Sequence, residues 1–374
     1  MVAKIMKESN KKHIALFFSN FNGGGIQRVM LSLAKGLMKE NWRVDLVLIQ
    51  AEGPLLEEVP SGCNLFDFQC KQASKSLLHL KKYLQNEIPD ILLASQTHIN
   101  VAAIIAKLLA SWEGKIFLSE HIAINYAARN STNIKDRLYP LMAKLFYPLS
   151  DGVILVSQET AKHFLNTTHL PEKLISVIYN PIVDSSLFHQ AEMYPAHKWF
   201  NKQQSIILAA GRLTKQKDFV TLIKAFHIVH KIRNNVKLII LGDGEEKEHL
   251  IQLSEDLALQ NDIDFPGFSN NPFAFMRYAS LFVLSSRWEG FGNVLVEAMA
   301  CGTPVVSTNC PSGPSEILEN GKYGALVPVG DYESLAKEII QALDSFHNKE
   351  ILISRAKDFS IENILPKYKE LFLS

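Results

Sequence analysis

The feature that most constrains the fold is a strand, a glycine loop and a helix that follow one another directly between residues 281 and 301. The apolar run Leu281–Leu284 has the length of a strand. The polar loop Glu289–Asn293 contains two glycines, and the apolar segment Val294–Cys301 indicates a helix that stops at Gly302 and Pro304. Because the first N–H groups of a helix have no partner within it, this arrangement predicts an anion-binding site at the loop.

Two glutamates flank that loop. Glu289 and Glu297 have seven residues between them, and Glu297 falls about one turn into the helix, with its side chain leaning back toward the helix N-terminus. Carboxylates accept hydrogen bonds from neighbouring hydroxyls, so the pair predicts a ligand with both a phosphate and a sugar part. A bare E-x7-E pattern is more often two solvated glutamates, and the strand–loop–helix frame is what makes this one specific.

Strand-length apolar runs alternate with helical segments along the rest of the chain. Such alternation predicts α/β domains with parallel, doubly wound sheets and ligands at the carboxyl ends of their strands. A chain of 374 residues is too long for one ordinary domain, so we predict two, residues 1–182 and 183–359. Segment 184–201 lacks periodicity and is the predicted linker. The predicted strands of the two series are Ile14–Phe18, Arg43–Ile49, Asn64–Phe68, Asp90–Ala94, Lys115–Ser119, Gly152–Val156, Leu174–Ile178, Ser205–Ala210 and Val236–Leu241.

Two of the strands lead into loops with the chemistry of phosphate binding. Gly23, Gly24 and Gly25 lie between the first strand and the first helix, where they let a ligand approach the backbone closely. The pattern is not G-x-G-x-x-G, and a flexible loop explains it about as well. Arg212 and Lys217 follow strand Ser205–Ala210 and could hold a diphosphate, although solvated surface cations are the commonest use of these residue types.

Two histidines also follow strand ends and are candidates for contact with the substrates. His121 follows strand Lys115–Ser119, and His98 is a weaker candidate, for contact with the acceptor. A lone histidine is more often structural than catalytic. Asp262 and Asp264 form a D-x-D that could bind a metal in another fold, but the alternating apolar residues assign both to the wet face of a strand.

Composition excludes several classes of protein. The net charge of +1 gives no reason to expect nucleic-acid binding, although residues 1–180 hold 20 basic and 15 acidic side chains. The four cysteines form no C-x-x-C pair, which argues against zinc and for a reducing, cytoplasmic location. No apolar run approaches 18 residues, so no membrane-spanning helix is expected.

The sequence E-G-F-G-N-V-L-V-E-A-M-A-C-G-T-P-V-V-S-T from Glu289 to Thr308 resembles the central pattern of the retaining GT-B glycosyltransferases of family 4. The similarity is strong over residues 205–330, where G-R-L-x-x-x-K also matches, and loose over 40–180. It implies two Rossmann-like domains facing across a cleft. It also implies that a C-terminal helix, residues 360–374, crosses back to the first domain.

The resemblance implies a role for each candidate residue in a metal-independent reaction without a cofactor. Arg212, Lys217 and the helix N-terminus would stabilise the departing diphosphate, beside which the first glycine loop would lie. Glu289 would hold the hydroxyls of the sugar, Glu297 the ribose, and His121 would lie near the transferred sugar. The residues implied to bind the donor are Gly24, Gly25, Arg212, Lys217, Glu289, Phe291, Gly292, Asn293 and Glu297.

The expected donor is a UDP-linked hexose or N-acetylhexosamine, because segment 311–316 resembles users of such donors, with a GDP-sugar as the alternative. The expected acceptor is a glycan, lipid-linked on a polyprenyl carrier, in the synthesis of bacterial surface polysaccharide, lipopolysaccharide or O-antigen. Segment 129–148 interleaves four basic residues with apolar ones, which predicts docking at the anionic inner face of the membrane. An amphipathic helix whose apolar side is core explains this segment equally well.

Three other functions remain open on the sequence alone. A GT-B epimerase or hydrolase of sugar nucleotides would share the fold but need no acceptor. A GT-A transferase would need the D-x-D and a metal. A non-catalytic scaffold would have no use for both cations and both glutamates.

Overall fold

The computed structural model describes residues 11–22, 24–122, 124, 128, 134–201 and 204–374, with the backbone alone at residues 134 and 135. The chain divides into two compact units. Unit 1 comprises the residues up to Pro181 together with Ile361–Ser374, and unit 2 comprises Ile182–Ser360. The second boundary lies where the C-terminal helix begins, so the first unit is built from both ends of the chain.

The sheet of unit 1 contains seven parallel strands within the described ranges. These are β1 (His13–Phe18), β2 (Arg43–Leu48), β3 (Asn64–Asp67), β4 (Ile91–Ser95), β5 (Lys115–Glu120), β6 (Gly152–Leu155) and β7 (Ile175–Val177). Their order across the sheet is β3-β2-β1-β4-β5-β6-β7. The order reverses between β1 and β4, so the connections that leave these two strands run in opposite directions across the sheet.

The helices of unit 1 pack over two apolar clusters. They are α1 (Gly25–Lys39), α2 (Leu77–Glu87), α3 (Thr97–Ala110), α4 (Ile134–Arg137), α5 (Tyr139–Phe146), α6 (Gln158–Thr168) and the last helix of the chain, α15 (Ile361–Leu373). Short 3₁₀ helices are Pro54–Glu58, Ala73–Ser76, Tyr147–Leu149 and Glu172–Leu174.

Helix α15 confirms the predicted return of the chain to the first unit. Its apolar stripe is buried in the same cluster as Ile14 and Leu16 of β1. The Phe372 ring lies 5.1 Å from that of Phe117 in β5. At Gly36 of α1 a side chain would meet Ile361 at 2.9 Å, so the missing Cβ lets the two helices approach.

Unit 2 has a six-stranded parallel sheet in the part of the chain that is described. Its strands are β8 (Ser205–Ala210), β9 (Val236–Leu241), β10 (Ile263–Gly267), β11 (Leu281–Leu284), β12 (Val305–Thr308) and β13 (Ala325–Val327), in the order β10-β9-β8-β11-β12-β13. Its helices are α7 (Ser185–Ala191), α8 (Phe219–Ile232), α9 (Lys247–Asp256), α10 (Pro272–Tyr278), α11 (Asn293–Ala300), α12 (Pro314–Ile317), α13 (Tyr332–Asp344) and α14 (Lys349–Lys357). The two doubly wound α/β sheets confirm the predicted fold class.

The segment predicted as a linker, 184–201, instead lies within unit 2. It begins with α7, whose N-terminus is capped by the Asp184 carboxylate accepting the Leu187 N–H at 3.0 Å. Leu187 and Ala191 are buried. A seven-residue helix is too short to show a clear period of 3.6, which is why the sequence pattern missed it.

Candidate functional site

The carboxyl ends of β8 and β11 form the point in unit 2 where the strand order reverses. The two strands are neighbours although β9 and β10 separate them in sequence. Ligands of open α/β sheets bind at such a point. The loop after β8 carries Arg212 and Lys217, and the loop after β11 carries Glu289. The candidate site is therefore built on these two loops.

Lys217 and Glu289 form an ion pair there. The Lys217 Nζ lies 2.5 Å from Glu289 Oε1, and the Ser286 hydroxyl donates to the same oxygen at 2.6 Å. The two side chains are only 17% and 8% exposed. The sequence assigned these residues to different parts of a ligand, whereas the structure joins them directly.

A second ion pair links the same two loops. Arg287 donates from Nε to Asp218 Oδ2 at 3.0 Å and from a terminal nitrogen to Oδ1 at 3.4 Å. The Thr221 hydroxyl also donates to Asp218, at 2.8 Å. Asp218 has a φ of +48°, a conformation that Asp tolerates better than most residues. A buried carboxylate held by a guanidinium fork fixes the residue next to Lys217.

Hydrogen bonds to and from the backbone complete the connection. The Ser285 hydroxyl donates to the Lys217 carbonyl at 2.8 Å. The Gln216 amide donates to the Trp288 carbonyl at 2.9 Å, and the Arg287 N–H donates to the Gln216 carbonyl at 2.8 Å. The backbone at Lys217 is thus held on both sides before any ligand arrives, so it need not rearrange when a ligand binds.

Helix α11 begins beside this pair at the predicted glycine loop. Gly292 is its N-cap, with a φ of +99°, and Asn293 is its first residue. The backbone of the loop is packed tightly, since a Cβ at Gly313 would lie 1.7 Å from the Phe291 carbonyl oxygen. The Phe291 ring is buried against Phe359, with the ring centroids 5.3 Å apart. The side chain of Phe291 therefore supports the loop, and the N–H groups at Gly292 and Asn293 are the part suited to an anion.

The remaining predicted residues of unit 2 differ in exposure. Glu297 is 7% exposed on the second turn of α11. Arg212 is exposed, and within the described part of the chain no acidic side chain forms an ion pair with it. An exposed guanidinium at this edge can turn toward a phosphate without first leaving a carboxylate.

Unit 1 has its own reversal point at β1 and β4, and helix α1 begins there. Gly24 is the N-cap in extended conformation, and Gly25 is the first helical residue. Gly23 lies outside the described residues. The N-terminus of a fifteen-residue helix therefore follows β1 at the carboxyl edge of the sheet, as the glycine loop predicted.

The two predicted histidines lie at the same edge of unit 1. His121 is buried, and its Nε2 lies 2.8 Å from the Ser119 hydroxyl oxygen. Burial lowers the pKa of His121 to about 4, although a hydrogen bond with Asn180 opposes this. His98 stacks on Tyr139, with ring centroids 6.2 Å apart, and burial lowers its pKa as well, opposed by a nearby carboxylate. Burial therefore favours the neutral form of both imidazoles.

Two parts of these edges were not predicted from the sequence. One is the Asp218–Arg287 pair, which joins residues far apart in the chain. The only signal for it was the position of Asp218 directly after Lys217. The other is Glu120, a buried carboxyl group directly before His121.

Neither aspartate of the D-x-D is free for a metal. Asp262 pairs with Lys237 and with His230, and Asp264 pairs with His197 at 2.9 Å. Among the described residues no group of three or more His, Cys, Asp or Glu side chains could hold a metal ion. Over the same residues no helix is long and apolar enough to cross a bilayer.

Two family models match the chain, one in each half. Residues 23–185 match Glycosyltransferase Family 4, and residues 192–359 match Glycosyl transferases group 1. An uncharacterized glycosyltransferase of Methanocaldococcus jannaschii is 31% identical over 343 residues, which cover 79% of this chain and 82% of that protein.

A relative of stated activity and a solved structure agree with these matches. The N-acetylgalactosamine-N,N'-diacetylbacillosaminyl-diphospho-undecaprenol 4-alpha-N-acetylgalactosaminyltransferase of Campylobacter jejuni is 25% identical over 357 residues, which cover 92% of this chain and 93% of that enzyme. Anabaena HepE, solved with UDP and glucose, superposes with a TM-score of 0.78 at 24% identity, over 97% of this chain and all of HepE. The chain belongs to the glycosyltransferases, as a GT-B protein of the family 4 type.

Proposed function

We propose that this glycosyltransferase moves a hexose or N-acetylhexosamine from a UDP-sugar to a lipid-linked glycan, with retention of the donor's anomeric configuration. The observation that carries the proposal is the Lys217–Glu289 pair, which lies where the strand order of unit 2 reverses and where helix α11 begins. A cation, a carboxylate and a helix N-terminus in one place suit a ligand that joins a diphosphate to a sugar.

The proposed chemistry follows from where charge develops. As the bond from the anomeric carbon to the phosphate oxygen breaks, negative charge accumulates on the departing diphosphate. Lys217, Arg212 and the N–H groups at the start of α11 would stabilise that charge, and the hydrogen bonds that hold Lys217 in place keep it oriented. No cofactor or metal is required for these contacts.

The two glutamates would orient the donor. Glu289 offers its carboxylate to hydroxyls of the transferred sugar, while Glu297, on the second turn of α11, accepts from the ribose hydroxyls. Both side chains are buried, so hydrogen bonds made to them exchange little with water.

The choice of donor and acceptor rests on similarity. The segment 311–316 resembles that of enzymes that use UDP-hexoses and UDP-hexosamines. The same fold accommodates UDP in HepE. The acceptor named for the Campylobacter relative is linked to diphospho-undecaprenol, and an amylovoran biosynthesis glycosyltransferase of Erwinia amylovora is 26% identical over 314 residues. These relatives support a polyprenyl-linked acceptor in surface polysaccharide synthesis.

The first test is a thermal-shift screen against UDP- and GDP-sugars, followed by transfer assays with a synthetic polyprenyl-diphosphate-linked N-acetylhexosamine in the presence of EDTA. We expect stabilisation by UDP-sugars and formation of a retained glycoside. Product formed only when the acceptor is present would exclude an epimerase or hydrolase. Stabilisation by GDP-sugars alone would refute the proposed donor, and loss of activity in EDTA would refute the metal-independent mechanism.

We also propose that unit 1 docks at an anionic membrane through helix α5. Tyr139, Met142 and Phe146 pack against the core, so part of the apolar surface of the segment is structural. A second set of apolar side chains remains 50–62% exposed; these are Leu138, Leu141, Leu145 and Leu149. Exposed leucines beside Arg137 and Lys144 suit insertion into a bilayer surface. Arg129 and the Lys135 side chain lie outside the described residues.

Co-sedimentation with liposomes of graded anionic lipid content tests the docking. Each basic side chain near an anionic surface contributes about 1 kcal/mol, so changing Lys135, Arg137 and Lys144 to Glu should abolish most binding in low salt. A matched control changes three lysines of the α2 region in the same unit to Glu, namely Lys71, Lys75 and Lys82. Equal binding of the two variants, or no response to salt, would contradict docking through α5.

A further inference from the structure

Glu120, the last residue of β5, is a buried carboxyl group. It is 3% exposed, and within the described residues no ion pair reaches it. Three uncharged donors surround it: the Tyr147 hydroxyl, the Thr97 hydroxyl at 3.1 Å and the Asn100 amide at 3.0 Å. Burial of an ionisable group without an opposite charge costs free energy, and such groups cluster where function requires them.

The donors to Glu120 connect it to the elements that carry the two candidate histidines of this edge, His98 and His121. Thr97 and Asn100 belong to the first turn of α3, on either side of His98. His121 directly follows Glu120 in the chain, and the Asn100 amide also donates to the Ser119 carbonyl at 3.2 Å. One carboxyl group thus joins the end of β5, which precedes His121, to the start of α3, which carries His98.

We propose that Glu120 is a positioning residue of the transfer reaction, which fixes His98 and His121 relative to each other at the edge where the acceptor glycan binds. The inference rests on the proposed function, which assigns the donor contacts to Lys217, Arg212, Glu289 and Glu297 of unit 2 and so leaves the edge around His98 and His121 for the acceptor. Glu120 acts through the two histidines and need not touch the substrate. The donors of this network are uncharged, which suits the task, since an acceptor hydroxyl is neutral and must be oriented rather than neutralised.

The titration of Glu120 agrees with this role. Burial raises its pKa to about 7, although hydrogen bonds from Tyr147, Thr97 and Asn100 oppose the shift. The other titratable groups around it are Tyr147 and Tyr139, whose pKa values burial also raises. An apolar side chain could pack between β5 and α3 without this free-energy cost of burial. Packing alone therefore does not explain why a carboxyl group occupies the position.

Asp45 provides a matched control in the same unit. It is buried in β2 near the opposite, amino edge of the sheet, where His13 lies 2.8 Å away and Asn64 and Tyr83 donate to it at 2.8 and 2.7 Å. These hydrogen bonds lower its pKa against the effect of burial. Asp45 and Glu120 therefore share burial and a network of donors. They differ in the edge of the sheet at which they lie and in the Arg43 guanidinium, which pairs with Asp45 at 3.5 Å.

The experiment compares Glu120→Gln, Glu120→Asp and Asp45→Asn with the unaltered protein. The substrates are the UDP-sugar found in the screen and the synthetic polyprenyl-diphosphate-linked N-acetylhexosamine. In Gln an NH2 donor replaces one acceptor oxygen, so it faces either the Thr97 hydroxyl or the Tyr147 hydroxyl together with the Asn100 amide. Asp draws the carboxylate back by one methylene. We expect both Glu120 variants to bind UDP with unchanged affinity and to lower kcat/KM for the acceptor at least tenfold. Asp45→Asn should lose stability but keep its acceptor kinetics.

A second measurement needs no substrate. Imidazole NMR signals of His98 and His121 should shift in both Glu120 variants and remain in place in Asp45→Asn. Acceptor kinetics of folded Glu120→Asp equal to those of the unaltered protein, or unmoved imidazole signals, would overturn the proposal. If the unaltered protein transfers no sugar, the proposed function fails, and the NMR comparison still decides whether Glu120 positions the histidines.

Discussion

The carboxyl edges of the two sheets have the same topology and opposite chemistry. In unit 2 the edge carries two ion pairs, Lys217 with Glu289 and Arg287 with Asp218. In unit 1 the corresponding edge carries two histidines whose pKa values burial lowers and a carboxyl group that, among the described residues, accepts hydrogen bonds from uncharged donors. A strand order that reverses determines where a ligand binds, and the side chains determine which ligand. We infer that the edge of unit 2 meets charge, and that the part of the unit 1 edge around His98 and His121 meets hydroxyls.

The largest expected effect comes from removing a cation from the charged edge. Loss of a contact that strengthens in the transition state costs roughly 2–4 kcal/mol. We therefore expect Lys217→Ala or Arg212→Ala to lower turnover at least about a hundredfold, as measured by initial rates of transfer. Lys215→Ala, an exposed lysine of the same loop, is the control and should retain activity. Near-normal rates for both Lys217→Ala and Arg212→Ala would show that the edge of unit 2 does not act through its cations.

The buried Glu120 and His121 at the edge of unit 1 should make the stability of this unit depend on pH. Burial raises the pKa of Glu120 from 4.5 to about 7, so Glu120 destabilises the folded unit increasingly as pH rises through that window. Burial lowers the pKa of His121 from 6.5 to about 4, so His121 makes the folded unit more stable as pH rises from 4 to 6.5. The two effects have opposite signs over overlapping pH ranges, so they oppose each other in the unaltered protein.

Single variants should separate these two contributions. Relative to the unaltered protein, Glu120→Gln should gain stability as pH rises from 5 to 7, whereas His121→Asn should lose it. Urea denaturation at several pH values, with hydrogen exchange in β5 as the readout for unit 1, measures both slopes. Parallel curves for all three proteins would show that neither group titrates as the structure implies.

The smallest effect concerns the two glutamates, and here the structure changes the expectation from sequence. If Glu289 contacted only the sugar and Glu297 only the ribose, as the family resemblance implies, Glu289→Gln would leave UDP binding unchanged. Because Glu289 holds the Lys217 ammonium, a diphosphate must compete with it, and Glu289→Gln should bind UDP about fivefold more tightly, or roughly 1 kcal/mol, while transferring sugar more slowly. Glu297→Gln should bind UDP more weakly. Titration calorimetry with UDP that found the same sign for both variants would contradict this division.

The elements of the fold were predictable where the local pattern was long and regular. Strands β8, β9 and β11 have the predicted bounds, and α11 begins one residue before its predicted start. Their buried, apolar runs and flanking glycines carry the information within a few residues. The short helix α7 and the three-residue strand β13 carry too little pattern to be recognised.

The sequence allowed the residues of the candidate site to be proposed, but not the contacts between them. Lys217, Glu289 and Glu297 could be selected because loop, strand and helix signals surround them in sequence. The pairing of Asp218 with Arg287, and of Glu120 with Thr97 and Tyr147, depends on strand order, which a single sequence does not state. The sequence also did not show which side chains of α5 are exposed, because this helix has apolar residues on both its inner and its outer side.

The return of the chain to unit 1 has a cost during protein synthesis. Phe372 completes the apolar cluster around Phe117 and Trp42, yet the ribosome adds it only after the whole of unit 2. The first unit to be made therefore keeps an apolar groove open throughout translation. Exposed apolar surface of this kind binds chaperones and promotes aggregation, so the nascent chain should depend on chaperones until α15 has docked.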